Sequence, residues 1–188
     1  MKLLRTLRLD RSDTFVFAAA AEPGEWATPG GFMFWDDDPA TLEGKARAAF
    51  RSGFLGLGSF GWSTLAEVAE ATPADVDAAI EALARRLVEK HGAPDIEAAR
   101  AAAREEIEVS ASLAGHPIGT VIALQRAIDP DGSVRERFRT IKTTLEPGSN
   151  TFAQGCVQPI GIGREEEPGQ GAAEMEEVDF VGLMKGRP

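Results

Sequence analysis

Residues 121–141 read VIALQRAIDPDGSVRERFRTI, and Asp129-Pro130-Asp131-Gly132 in the middle sets the register of everything around it. Pro at the first central position, Asp next and Gly third predict a type I turn closed by a G1 bulge at Gly132. Such a turn pairs Asp129 with Ser133. Ile128 then faces Val134, Arg126 faces Glu136 and Leu124 faces Phe138, which gives two apolar pairs and one ion pair on a single face. The other face sets Val121, Ala123, Gln125 and Ala127 against Arg135, Arg137, Arg139 and Ile141. The stretch is therefore predicted to be an antiparallel hairpin.

Two helices are expected before it. Thr72-Pro73-Ala74-Asp75 is a helix start, and Val76, Ile80, Leu83 and Leu87 form an apolar stripe behind it. Gly92 and Pro94 end that helix. A second helix is expected from Asp95 to Ala114, with Ile96, Ala99, Ala103 and Ile107 as a narrow seam, ended by Gly115-His116-Pro117. Nearer the N-terminus, Lys2–Leu9 reads as a strand and Ala18–Gly31 as a loop. Phe32-Met33-Phe34-Trp35 is a short apolar run that suits a buried strand. Asp38 and Pro39 look like an N-cap and first helical position, with Leu42, Ala46, Ala49, Phe50 and Phe54 along one face. Gly53 ends this helix, and Trp62–Glu70 reads as a further strand. The order β-β-α-β-α-α-β-β predicts an α+β fold, a mostly antiparallel sheet packed by three helices, rather than a doubly wound one.

Glu146-Pro147-Gly148-Ser149-Asn150 marks a boundary between an α+β domain (residues 1–145) and an acidic, Gly/Pro-containing extension (146–188). Within the extension, Phe152–Ile162 can form one extended segment, Arg164–Ala173 reads as linker, and Val178–Met184 is an apolar patch in an acidic frame. No internal repeat is present. Of the 188 residues, 43% are hydrophobic and 27% charged, which is enough apolar surface for one core. The net charge of −10 argues against nonspecific binding to nucleic acid or anionic membrane, since each phosphate contact needs a cation. A single cysteine, Cys156, excludes an intrachain disulfide and a multi-cysteine metal site, and reads as a small buried residue. With no apolar leader in MKLLRTLRLDRSD and no membrane span, the chain is expected to be cytoplasmic.

Several patterns resemble chemical sites, and their context weakens each. Gly56-Leu57-Gly58-Ser59-Phe60-Gly61 matches the dinucleotide fingerprint letter for letter. A helix precedes it and a strand follows, the reverse of what phosphate binding needs, so it reads as a helix-to-strand loop. Asp36, Asp37 and Asp38 could attract a hard cation, but adjacent carboxylates do not converge on one ion, and Asp38 is explained as a cap. Asp129 and Asp131 are explained by turn chemistry. His91 and His116 each fall at a helix C-terminus, where the helix dipole favours imidazolium. His116 is a catalytic candidate only if Glu67, Glu70 or Glu106 approaches it. No catalytic, cofactor-binding or metal-binding residue is therefore assigned.

Two features point toward a protein partner. Arg135, Arg137 and Arg139 alternate along one strand and share one face, where they repel unless anions lie nearby. In the extension, Val178, Phe180 and Leu183 are too apolar for a solvating tail, yet too few to build a core. The expected function is a non-catalytic interaction protein, an accessory factor or small subunit that docks to a larger partner through Arg135, Arg137, Arg139, Val178, Phe180 and Leu183. One alternative is a small enzyme or ligand-binding domain with a cleft near Trp35, Trp62 and His116. Another is self-association through tail exchange.

The segments LLRTLRLDRSDTFVFAAAAEPGEW, FMFWDDDPATLEGKARAAFRSGFLGLGSFGWSTLAEV, HPIGTVIALQR and RERFRTIK resemble a small bacterial family of unknown function across roughly residues 1–143. The resemblance implies genes lying near redox-enzyme accessory genes and a lipoate/biotin-ligase-like gene. It transfers no activity to any residue.

Overall fold

The computed structural model describes residues 1–141 and the backbone of Met175–Glu177. The chain is α+β. Its strands are β1 (Lys2–Leu7), β2 (Trp26–Thr28), β3 (Phe54–Gly56), β4 (Trp62–Ser63), β5 (Leu65–Glu70), β6 (Val121–Ile128), β7 (Val134–Ile141) and β8 (Met175–Glu177). Its helices are α1 (Ser12–Val16), α2 (Gly44–Ser52), α3 (Pro73–Lys90) and α4 (Ile96–Leu113). The strands form one sheet of order β4-β3-β2-β1-β5-β6-β7-β8, with every adjacent pair antiparallel. Among the described residues, no helix is long and apolar enough to cross a membrane.

The hairpin has the expected register, with Leu124 opposite Phe138, Arg126 opposite Glu136 and Ile128 opposite Val134. Asp129 N–H donates to Ser133 O (2.8 Å) and Gly132 N–H to Asp129 O (2.9 Å). Gly132 has φ +83°, the left-handed conformation that the bulge demands. The two long helices also begin where the caps place them. Thr72 and Asp75 form a reciprocal capping box with Pro73 in the first turn, and Asp95 caps α4 by accepting from Ala98 N–H (2.8 Å). Ala79, Leu83 and Ala84 of α3 share a buried cluster with Ala99, Ala103 and Ile107 of α4. The four alanines among them leave room for the helices to approach closely.

α4 is tied into the sheet by a polar stitch. The buried Ser110 hydroxyl accepts from Leu4 N–H (3.3 Å) and donates to Ala27 O (2.7 Å), bridging β1 and β2. Leu4 and Ala27 are themselves register partners. A second buried cluster, including Leu4, Val68, Leu113, Ile122, Leu124 and Phe138, carries the core out to the hairpin.

The region from residue 18 to 63 differs from expectation. Phe32–Trp35 is not a strand, since Gly31–Phe34 is a 3-10 turn; the strand is Trp26–Thr28, inside what reads as a loop. Four consecutive apolar residues suit a buried turn as well as a strand, and Gly30 at φ +68° bends the chain ahead of them. Asp38 does cap a turn, accepting from Ala40 N–H (3.0 Å), but α2 begins only at Gly44, after Glu43 in extended conformation. Phe54 belongs to β3, and Ala46 is exposed. Trp62–Glu70 divides into β4, which pairs with β3, and β5, which pairs with β1. The short helix α1 had no signal in the sequence. Its buried Asp13 accepts from the Thr64 (2.6 Å) and Ser63 (3.2 Å) hydroxyls, beside the point where β4 gives way to β5.

Candidate docking surface

The two faces of the β6–β7 hairpin treat arginine in opposite ways. On the buried face, Arg126 is 1% exposed and spreads its guanidinium over three acceptors. Its Nε donates to Glu136 Oε1 (2.5 Å), Nη1 to Phe50 O (2.9 Å) and Nη2 to Pro29 O (2.6 Å). A buried cation is tolerable only when paired and hydrogen-bonded in this way. Glu106, on α4, accepts from the Thr28 hydroxyl (3.0 Å). Burial pushes its carboxyl above the usual Glu range. The Thr28 hydrogen bond opposes that shift, and the nearby Glu136 and Arg126 charges raise and lower it respectively.

The other face carries the arginines singled out from the sequence. Arg135 makes a two-pronged pair with Asp129, Nη2 to Oδ1 at 2.7 Å and Nε to Oδ2 at 3.1 Å. Arg139 is exposed and lines a groove of about 420 Å³ with Ala123, Gln125 and the Ala48, Arg51 and Ser52 of α2. An adjoining hollow of about 250 Å³ shares Arg51 and adds Arg47, Phe50, Ala127 and Ile128. Among the described residues, Arg47, Arg51 and Arg139 form no ion pair.

Along the outer edge of β7 the chain adds its own strand. β8 pairs antiparallel with β7, with Arg139 opposite Met175, Phe138 opposite Glu176 and Arg137 opposite Glu177. Since Asp129 and Ser133 are a hydrogen-bonded pair, alternation turns the N–H and C=O groups of Val134, Glu136, Phe138 and Thr140 away from β6, toward this edge. Val178, Phe180, Leu183 and Cys156 lie outside the described residues, as do the extended segment at 152–162 and the apolar patch at 178–184.

The remaining candidates have structural explanations. The fingerprint glycines form the β3–β4 hairpin turn, not a helix-to-strand loop, and its amides are already engaged. Gly58 N–H and Ser59 N–H both donate to Glu25 Oε2 at 2.7 Å, so a carboxylate of the chain sits where a phosphate would. A Cβ on Gly61 would come within 2.5 Å of Ala20 O and Ala21 N, so glycine is required there by the close approach of two backbones. His91 is the C-cap of α3, its ring 6.0 Å from Phe32 and 6.3 Å from Phe60. Trp35, 71% exposed, also packs edge-on to Phe32, while the buried Trp62 stacks on Phe34. His116 lies elsewhere, after α4, where its carbonyl accepts from Lys2 Nζ at the start of β1. The 3-10 turn thus gathers the two tryptophans and His91, but not His116. Glu106 bonds to Thr28, and no group of three His, Cys, Asp or Glu that could hold a metal occurs among the described residues.

Residues 1–155 match a family of unknown function (DUF6505), and the chain belongs to that family. No curated protein and no solved structure matches it. The matched segment spans the whole described sheet except β8, so the hairpin and its arginine face fall within the family domain.

Proposed function

We propose that this protein is a non-catalytic docking factor that binds an extended acidic segment of a protein partner. The surface runs from the outer edge of β7 across Arg137 and Arg139 to the groove under α2. The observation that carries this reading is the β7 edge itself, which takes up an added strand at Arg137–Arg139. Strand addition supplies affinity through main-chain hydrogen bonds and specificity through alternate side chains. Arg51 and Arg139, with no ion pair among the described residues, supply the complementary charge, which mainly speeds and orients association. Apolar contacts should provide most of the affinity, because an exposed ion pair contributes only about 0–1 kcal/mol.

The test is affinity purification of the tagged full-length protein from its native host beside two variants. One carries Arg51→Glu with Arg139→Glu, and the other is shortened after Leu145. The reading predicts a partner captured in near-stoichiometric amount and lost on charge reversal. Capture that is indifferent to the arginines, or a full-length chain that purifies alone and monomeric, would refute it.

A further inference from the structure

Helix α2 carries Lys45, Arg47 and Arg51 and not one acid, in a chain with 30 Asp and Glu residues. Lys45 is engaged, since its Nζ donates to Phe17 O (3.1 Å). Arg51 stands in the last turn, where the helix dipole favours a cation, but Arg47 lies one turn earlier without that support. The two arginines are spaced i,i+4, so like charges share one side of the helix, an arrangement that costs stability. Arg139 brings a third cation from β7 into the groove that Arg51 lines. Among the described residues, no Asp or Glu lines this groove or the hollow beside it. We propose that Arg47, Arg51 and Arg139 bind a phosphorylated side chain, with its phosphate in the groove and an apolar neighbour in the hollow. This rests on the docking reading above and names the group by which the acidic partner segment is held there.

Three observations select phosphate on an extended segment. First, where this chain meets a single carboxylate it uses one arginine, as Arg135 grips Asp129 through two hydrogen bonds. A phosphomonoester carries a charge of about −1.5 to −2 at pH 7 and three acceptor oxygens, enough for the forks of two guanidiniums with a third cation nearby. Second, the two depressions differ in lining. Ser52 and Gln125 add a hydroxyl and an amide to the groove of about 420 Å³, whereas Pro39, Ala40 and Ile128 make the hollow of about 250 Å³ more apolar. Arg51 is common to both, so a phosphate beside it leaves room for an apolar residue next along the segment. Third, Arg47, Arg51 and Arg139 are all exposed, and both depressions are open to solvent. A site for a free small molecule encloses most of its ligand, while an open groove suits a side chain presented by a longer segment.

Two short acidic peptides test this against the full-length protein, one with a central phosphoserine followed by leucine and the other with plain serine. Titrations are followed by backbone amide chemical shifts. The phosphopeptide should bind roughly tenfold or more tighter than its serine counterpart, with shifts at Ser52, Gln125 and Arg139. Arg51→Glu should abolish that preference; Arg139→Glu, on a strand instead of the helix, repeats the test should Arg51→Glu fail to fold. Arg104→Glu makes the same charge change beside Glu81 in the α3–α4 pair, and should leave the preference within about twofold. A phosphopeptide that binds no tighter than the serine peptide would overturn the phosphate site, and leave the docking reading to its own purification test. Equal losses from Arg104→Glu and Arg51→Glu would reduce the effect to net charge and overturn the site as well. Phenyl phosphate binding as tightly as the phosphopeptide would assign the groove to a small phosphorylated molecule and overturn the segment assignment.

Discussion

At the β3–β4 turn, the amides of Gly58 and Ser59 could cradle an anion, and the chain gives them its own Glu25. On the outer face of the β6–β7 hairpin, the charge on Arg139 and on the neighbouring Arg51 is met by no carboxylate among the described residues. Both are places where positive potential gathers, and only at the first do the described residues supply the counter-charge. The same division runs through the hairpin itself, where Arg126 has three acceptors on one face and Arg139 stands exposed on the other. Positive charge that the fold needs is satisfied in place; positive charge exposed beside the edge is what the proposed docking would use.

The sharpest way to break this comparison is to remove one arginine from each face. Arg126→Ala strips the partner from Glu136 and orphans the carbonyls of Phe50 and Pro29, and should cost about 3–5 kcal/mol. Arg139→Ala should stay within about 0.5 kcal/mol of wild type. Urea denaturation measures both, and similar losses would erase the distinction between the two faces. At the glycine turn, Glu25→Ala should destabilise by about 1–2 kcal/mol, because two N–H groups lose a charged acceptor. Calorimetry with NAD(P) or FAD should detect no micromolar binding to the wild-type protein, since the carboxylate already fills the turn. Gly132→Ala should cost about 1 kcal/mol, from a β-carbon placed at positive φ. It should not alter the arginine face.

A subtler effect concerns Glu106, whose folded-state carboxyl is raised by burial. Its protonated form is favoured in the folded protein, so its contribution to stability is present below the ordinary Glu pKa and is lost as pH rises through the raised value. Glu106→Gln cannot ionise and lacks this loss. The wild type should therefore be more stable relative to the variant at pH 4 than at pH 7.5. Urea midpoints at the two values check it, and a gap that does not change with pH would contradict the burial argument.

How far these contrasts were legible in the sequence depended on whether the signal was local. The hairpin register follows from one turn, and the ends of α3 and α4 from Thr72, Asp75 and Asp95, because caps and bulges are decided within a few residues. The Arg126–Glu136 pair came with the register. Its burial did not, because the acceptors Phe50 and Pro29 are 76 and 97 residues away along the chain. Likewise, Glu25 lies 33 residues before Gly58, so no spacing rule could reveal that the fingerprint turn was already filled. The strand Trp26–Thr28 was missed because three residues between proline and glycine carry almost no periodicity. In the extension, the acidic and apolar character of residues 174–184 was readable, but the register of Met175–Glu177 on β7 was not.

Residue-resolved hydrogen exchange on the full-length chain tests the central claim most directly. Arg137 and Arg139 turn their amides toward β6, and Phe138 turns its amide toward the β7 edge. If the edge takes up β8, Phe138 N–H should exchange nearly as slowly as its two neighbours, and shortening the chain after Leu145 should release Phe138 while leaving Arg137 and Arg139 protected. A Phe138 amide that exchanges at the rate of an exposed edge in the full-length protein would contradict the account.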